Sequence, residues 1–327
     1  MRTESTIDRP GLLAAIAAYA IWGVFPLFWY LIRDVASLEI IAHRVIWCCL
    51  FVVGYLLWRD GSRWLRDALA GRHVLRWLTL SSVLISCNWG IYIWAVTHGR
   101  VIDASLGYFI NPLVNVVIGV WVLHERLNRV QWCAVGLAAL GVAWLTIRFG
   151  QLPWIALALA FSFAFYGLIR KTAHVEAVPG LAIESLILVL PALGYSAWLA
   201  MRGEAAFLGG TGTRDALLIV GGALTALPLI GFAYGARRIP YSLTGVLQYI
   251  APSLQLLCGV WILGEPFVGS QIIGFGLIWL ALVLYAADGL RRNRRQTQRP
   301  AAVASAWPPT RADVDAPPEP GREAGRN

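Results

Sequence analysis

INPLVNVVIGVWVLHERLNRVQWCAVGLAALGVAWL, residues Ile110–Leu145, returns 140 residues later as IAPSLQLLCGVWILGEPFVGSQIIGFGLIWLALVLY, residues Ile250–Tyr285. Eleven aligned positions are identical, among them Pro112/Pro252, Gly119/Gly259, Trp121/Trp261, Glu125/Glu265 and Gln131/Gln271. Most other pairs exchange one apolar residue for another. Each copy reads as an apolar helix, a short turn opening on Glu, and a second apolar helix. A repeat of this length in an apolar chain points to a duplicated helix bundle.

The composition sets the solvent of that bundle. Of the 327 residues, 58% are hydrophobic and 14% charged, and the mean hydropathy is +0.64. Soluble domains average about 25% charged residues. Too little polar surface is available to cover a soluble fold, so the chain reads as an all-α integral membrane protein whose first partner is the lipid bilayer. The net charge of +9 could suggest nucleic acid. The basic residues form no single polar face, however, and fall between apolar segments, so nucleic acid is not expected as a partner.

Ten spans are legible, near 11–32, 36–58, 77–97, 103–123, 129–147, 151–169, 178–201, 215–236, 240–264 and 267–288. Residues 1–10 form a short polar start. The first span is too long for a signal-peptide core and is read as retained. Residues 291–327 turn to Arg, Pro and Ala, a composition that predicts a disordered tail. With the N-terminus inside, cytoplasmic segments hold eighteen Arg and Lys and the opposite segments five. The positive-inside rule then places both termini in the cytoplasm of a multi-pass cell-membrane protein. The repeats start five spans apart. Five is odd, so residues 11–147 and 148–290 are expected to be two inverted five-helix repeats. Glu125 and Glu265 would then lie at opposite membrane faces.

Charge inside a membrane helix is costly, at roughly 2.5–3.5 kcal/mol on insertion scales, and usually faces the bundle interior or a wet cavity. His43 and Arg44 in the second span are therefore candidates to meet an anionic or polar substrate group. The plain alternative is that Arg44 snorkels outward or locks to Glu39 or Glu184. Glu184 occupies nearly the repeat position of His43, and both are candidates for carrying a proton. A helix-end Glu reaching the interface is the competing reading. Tyr108, Asn111 and Asn115 make one stripe on the fourth span, with Gln248, Ala251 and Gln255 as repeat counterparts. They could line a cavity or bond helix to helix. Asn88 and Trp89 could add a donor and an aromatic wall. Pro112 and Pro252 offer kinks. Glu125 and Glu265 are expected to cap helices or hold loops. Ala156, Ala160 and Ala164, and Gly231 with Gly235, have the spacing of close helix contacts.

Five cysteines all fall in apolar spans without metal-ligand spacing, and no HExxH, P-loop or carboxylate-rich magnesium motif occurs. No metal, no cofactor and no catalytic set is expected.

HRVIW (His43–Trp47), ASLGYFINPLVN (Ala104–Asn115) and SFAFYGLIRK (Ser162–Lys171) join the repeated turn as markers. With them, residues 10–290 resemble the RarD type of the EamA group, in the drug/metabolite transporter superfamily. The resemblance implies an inner-membrane permease built from two inverted repeats, without ATP hydrolysis and without an assigned substrate. The expected function is secondary transport of a small organic solute or drug/metabolite by alternating access, with proton coupling open. The other classes weighed are a membrane enzyme acting on a lipid-linked substrate and a non-transporting scaffold or sensor.

Overall fold

The computed structural model describes residues 8–68, 72–124, 127–173, 175–236, 238–239, 243 and 247–297. Uninterrupted apolar stretches give long helices. They are α1 (Arg9–Tyr30), α2 (Ser37–Asp60), α4 (Arg72–Thr97), α5 (Val101–Leu123), α6 (Arg129–Phe149), α7 (Trp154–Ala173), α8 (Ala177–Arg202) and α9 (Gly212–Ala236). A short α3 (Arg63–Ala68) occupies part of the basic stretch after α2. α10 (Ile250–Leu257) continues as a π-helical turn, Cys258–Ile262, and α11 covers Gly269–Thr297.

Among the described residues eight helices are long and apolar enough to cross a bilayer. Trp154–Arg170 and Ile250–Ile262 are shorter apolar helices, standing where the sixth and ninth of the ten expected spans fall. α11 runs through the Arg291–Arg295 cluster, past the point where the tail was expected to start. Residues 298–327, the rest of the expected tail, lie outside the described residues, as do Glu125 and most of 240–246. Large apolar side chains cover the outside. Trp121 is 79% exposed and its repeat counterpart Trp261 is 78% exposed. Apolar exposure on this scale calls for lipid around the bundle, so this is a multi-pass membrane protein.

The turn chemistry is repeated as well. Asn128 caps α6, and Gln131 accepts from the Asn128 N–H at 3.1 Å. Gln271, at the same repeat position, accepts from the Val268 N–H at 2.9 Å. Both first turns thus satisfy an orphan donor with the same residue. Pro112 lies inside α5 as expected. Pro252 falls in the first turn of α10, where a missing N–H costs nothing.

Packing follows a pattern of equivalent pairs. α1 packs on α9 and α10, as α7 packs on α4 and α5; α2 packs on α9, as α8 packs on α4. The repeat-related helices also pair with each other, α2 with α8, α5 with α10 and α6 with α11. Each of these couples is antiparallel. In α6–α11, Asn128 at the start of one helix donates to Asp288 near the end of the other, and Trp144 reaches back to the Ser270 carbonyl. In α5–α10, Glu265 beyond the π turn meets Val101 and Ile102 at the start of α5. In α2–α8, Glu39 in the first turn of α2 meets Ala206 and Phe207, beyond the end of α8.

Small residues permit the closest contacts. Ala156, Ala160 and Ala164 are fully buried. A Cβ on Gly107 would sit 2.8 Å from the Ala156 carbonyl oxygen, so α5 and α7 nearly touch backbone to backbone. Gly235 lies against Gly11 and Ala15 in the same way.

Candidate functional site

α9 approaches α2 so closely at Gly222 that any Cβ would meet the Trp47 and Cys48 backbone. Gly221, beside it, lies against the Trp29 ring. This approach brings Thr225, one turn on, to Arg44. The Arg44 Nε–H donates to the Thr225 hydroxyl at 2.9 Å, and that hydroxyl donates to the Gly221 carbonyl at 2.9 Å. The guanidinium carbon lies 4.2 Å from the Trp89 ring centre and 5.4 Å from that of Trp29. Both are cation–π distances. Tyr92 and Tyr108 pack edge to face at 5.8 Å and lie within electrostatic reach of Arg44. Asn88, one residue before Trp89, holds the Leu159 carbonyl at 3.0 Å and the Ser162 hydroxyl at 2.9 Å, and takes the Tyr108 hydroxyl at 3.5 Å. Arg44, Asn88, Trp89 and Tyr108 thus form one cluster with Trp29, Tyr92 and Thr225. Five helices supply the cluster around the guanidinium: α1, α2, α4 and α5 with α9.

Glu184 lies elsewhere. It is 1% exposed and accepts from the Ser81 hydroxyl at 2.5 Å and the Tyr166 hydroxyl at 3.2 Å. Arg170 Nη1 stands 3.7 Å from it. Ser81 is two helical turns from Asn88 on α4, so this second cluster lies nearer the Arg72 end of the bundle. Glu184 therefore pairs with Arg170, and neither His43 nor Arg44 is its partner. Arg44 is locked neither to Glu39 nor to Glu184, and at 5% exposure it does not snorkel.

His43 faces away from Arg44. Its ring packs 4.5 Å from Phe207, and Nδ1 is buried without a hydrogen-bond partner among the described residues. Glu39 is 2% exposed and accepts from the N–H groups of Ala206 and Phe207 at 2.7 and 3.0 Å. It thereby ties the segment between α8 and α9 down over His43. Asn111 is buried, whereas Asn115 is exposed, so the stripe on α5 does not line one cavity throughout. Gln255 donates to the Trp22 carbonyl at 3.1 Å, a helix-to-helix bond of the plain kind. Gln248 is half-buried just before α10.

Glu265 takes the capping role. It receives the Val101 and Ile102 N–H groups at 2.6 and 2.8 Å, where a helix N-terminus favours negative charge. Burial pushes its carboxyl above the ordinary range, against the pull of those two donors. A cavity of about 140 Å³ opens near this end, with Arg100, Asp103, Gln151, Gln271 and Phe275 among its lining. Its charges are already matched, since Arg100 and Asp103 pair at 2.7 Å. Among the described residues Arg44 is buried with no carboxylate paired to it, so the chemistry points to its cage rather than to this cavity.

The EamA-like transporter family model matches the chain twice, over residues 9–147 and 152–287. The chain belongs to the EamA-like transporter family. Its relatives include the protein RarD of Streptomyces exfoliatus, 45% identical over 93% of this chain and 96% of that protein. Another is the protein RarD of Escherichia coli K12, 41% identical over 89% and 98%. A Bacillus subtilis relative named as an uncharacterized transporter, YojE, is 42% identical over 88% and 96%. A solved crystal structure superposes with a TM-score of 0.54 at 18% identity, over 84% of this chain and 96% of that one, a likeness of fold alone. The chain is thus a RarD-type EamA permease, a membrane transporter with the bilayer and a small solute as partners.

Within this EamA-like chain, sequence reasoning missed Thr225, Trp29, Tyr92, Ser81, Tyr166 and the second role of Arg170. Tyr92 carried a signal: it lies four residues beyond Asn88 and three beyond Trp89, on one helix face. The pair Gly221-Gly222 one turn before a lone hydroxyl was the signal for Thr225. Nothing in the spacing of Arg170, inside the SFAFYGLIRK stretch, marks it as the partner of Glu184.

Proposed function

We propose that the chain is a secondary active transporter that moves a small organic solute across the cytoplasmic membrane by alternating access, coupled to protons, with both termini in the cytoplasm. One observation carries the reading: each of the three couples of repeat-related helices is antiparallel. Two five-helix halves related in this way can exchange conformations, and a site between them then opens to each side in turn. The Arg44 cage suits such a site, because Thr225 comes from the second half and the rest from the first. Contacts between the halves also close both ends. Glu39 of the first half holds Ala206 and Phe207 of the second. At the other end Ser81 of the first half binds Glu184 of the second.

Glu184 suits a proton carrier. Its carboxylate is buried, takes hydroxyl donors from both halves, and faces one cation, Arg170. Protonation removes the charge that attracts Arg170 and frees that end to open. His43, whose ring packs on Phe207 and whose Nδ1 has no hydrogen-bond partner among the described residues, is the second proton candidate.

Purified protein in proteoliposomes tests this, using a labelled solute found by growth screens of deletion and overexpression strains. An imposed pH gradient should drive accumulation by the wild type. Glu184→Gln should lose that accumulation and keep solute-for-solute exchange. Equal accumulation by both proteins removes Glu184 from coupling. Absence of flux by the wild type removes transport itself.

A further inference from the structure

We infer that the Arg44 cage is a receptor for the carboxylate of a singly charged organic anion with an apolar or aromatic body. The inference rests on the transport reading for the passage of that anion, and not for its binding.

Arg44 is buried, yet among the described residues no carboxylate pairs with it. Among the described residues, the titratable groups that act on it are Cys48, Tyr92 and Tyr108. The buried carboxylates on the helices around it are committed elsewhere, Glu39 to two backbone N–H groups and Glu184 to Ser81, Tyr166 and Arg170. A buried guanidinium without a counter-charge is the half of an ion pair whose other half arrives with a ligand.

The way Arg44 is held agrees. Its inner nitrogen, Nε, is anchored by Thr225, whose hydroxyl is in turn fixed by Gly221. Its terminal Nη1 is buried and has no hydrogen-bond partner among the described residues. Arg170, whose Nη1 also has no hydrogen-bond partner among the described residues but stands 3.7 Å from the Glu184 carboxylate, is used differently. Its terminal Nη2 is spent on the carbonyls of Glu176 and Ala177, tying down a helix start. An arginine oriented through Nε and open at its terminal nitrogen is set up to receive an acceptor.

The surroundings define the class. One cation balances one negative charge, and the planar fork matches a carboxylate. The Tyr92 hydroxyl, also buried without a hydrogen-bond partner among the described residues, supplies a neutral donor. Trp29 and Trp89 flank the guanidinium and would stack or cover an apolar body. A phosphate dianion would find half of its charge unmatched.

The test titrates full-length protein in nanodiscs with benzoate, hexanoate, benzamide, benzylamine and inorganic phosphate, read by calorimetry and by thermal shift. Benzoate and hexanoate should bind saturably, at least about tenfold more tightly than benzamide or benzylamine, and phosphate should not compete. Arg44→Gln should bring benzoate down to the affinity of benzamide. Tyr92→Phe should weaken benzoate about threefold to tenfold and leave benzamide unchanged, which keeps the test decisive if Arg44→Gln does not fold. Carboxylates that bind no better than amides, that fail to bind at millimolar concentration, or that bind equally well to a folded Arg44→Gln overturn the inference. Flux separates the two readings. Benzoate that binds and is never carried into vesicles ends the transport reading alone. A neutral solute carried equally well by Arg44→Gln ends the anion site alone.

Discussion

Removing the Glu39 side chain should release the segment between α8 and α9. One buried carboxylate oxygen accepts two backbone donors, Ala206 N–H at 2.7 Å and Phe207 N–H at 3.0 Å. A hydrogen bond to a charged group contributes about 1.5–3 kcal/mol, so the two together contribute about 3–6 kcal/mol. The freed N–H groups lie in a short connection that water can reach, which favours the lower end, about 3 kcal/mol. At 1.4 kcal/mol per factor of ten, that is a change of about 100-fold in local opening. Glu39→Ala should therefore speed amide exchange at Ala206 and Phe207 about 100-fold in nanodisc-embedded protein, read by hydrogen–deuterium exchange and mass spectrometry. Glu39→Gln keeps an acceptor oxygen but not the charge, and should speed exchange only about tenfold. Exchange in peptides from α6 and α11, far from the change, should stay as it was. Unaltered exchange over 203–211 in Glu39→Ala would refute the reasoning, because the carboxylate would then not be what holds the segment.

Two further expectations concern packing and topology. Gly107→Ala puts a methyl group 2.8 Å from the Ala156 oxygen and should destabilise the protein by about 1–3 kcal/mol, whereas Gly54→Ala, with nothing within 4 Å, should leave the melting temperature unchanged or raise it; melting of the two variants in detergent compares them. Arg129 and Gly269 are exposed at equivalent repeat positions, so single cysteines there, in a cysteine-free background, should react with an impermeant thiol reagent from opposite faces of sealed vesicles; reaction from one face contradicts inversion.

Much of this molecule could be read from its residues. Helices form where apolar runs lie between charges, because nothing except a helix satisfies its own backbone in lipid. The boundaries that moved are those where a helix continues into basic sequence. α4 starts at Arg72 and α11 ends at Thr297, since arginine is a good helix former and a span may extend into water. Gln131 and Gln271 revealed the repeat and took equivalent caps. The site was only half legible. Arg44, Asn88, Trp89 and Tyr108, each picked out separately by charge, amide or aromatic character, lie in one cluster. The partners of Arg44 and Glu184 were hidden, because pairing depends on how closely helices approach. Gly222 lets Thr225 reach Arg44, and the turn between α7 and α8 brings Arg170 back to Glu184. Neither distance is written in spacing along one helix.

Accessibility of the cage wall tests the central idea most directly. A single cysteine at Trp89, in a cysteine-free chain reconstituted with one orientation, is exposed to an impermeant thiol reagent from each side of the membrane in turn. Two halves that alternate around Arg44 should let the reagent arrive from either side, with an added carboxylate shifting the balance of the two rates. Labelling confined to one side under every condition, with solute flux intact, would contradict the account.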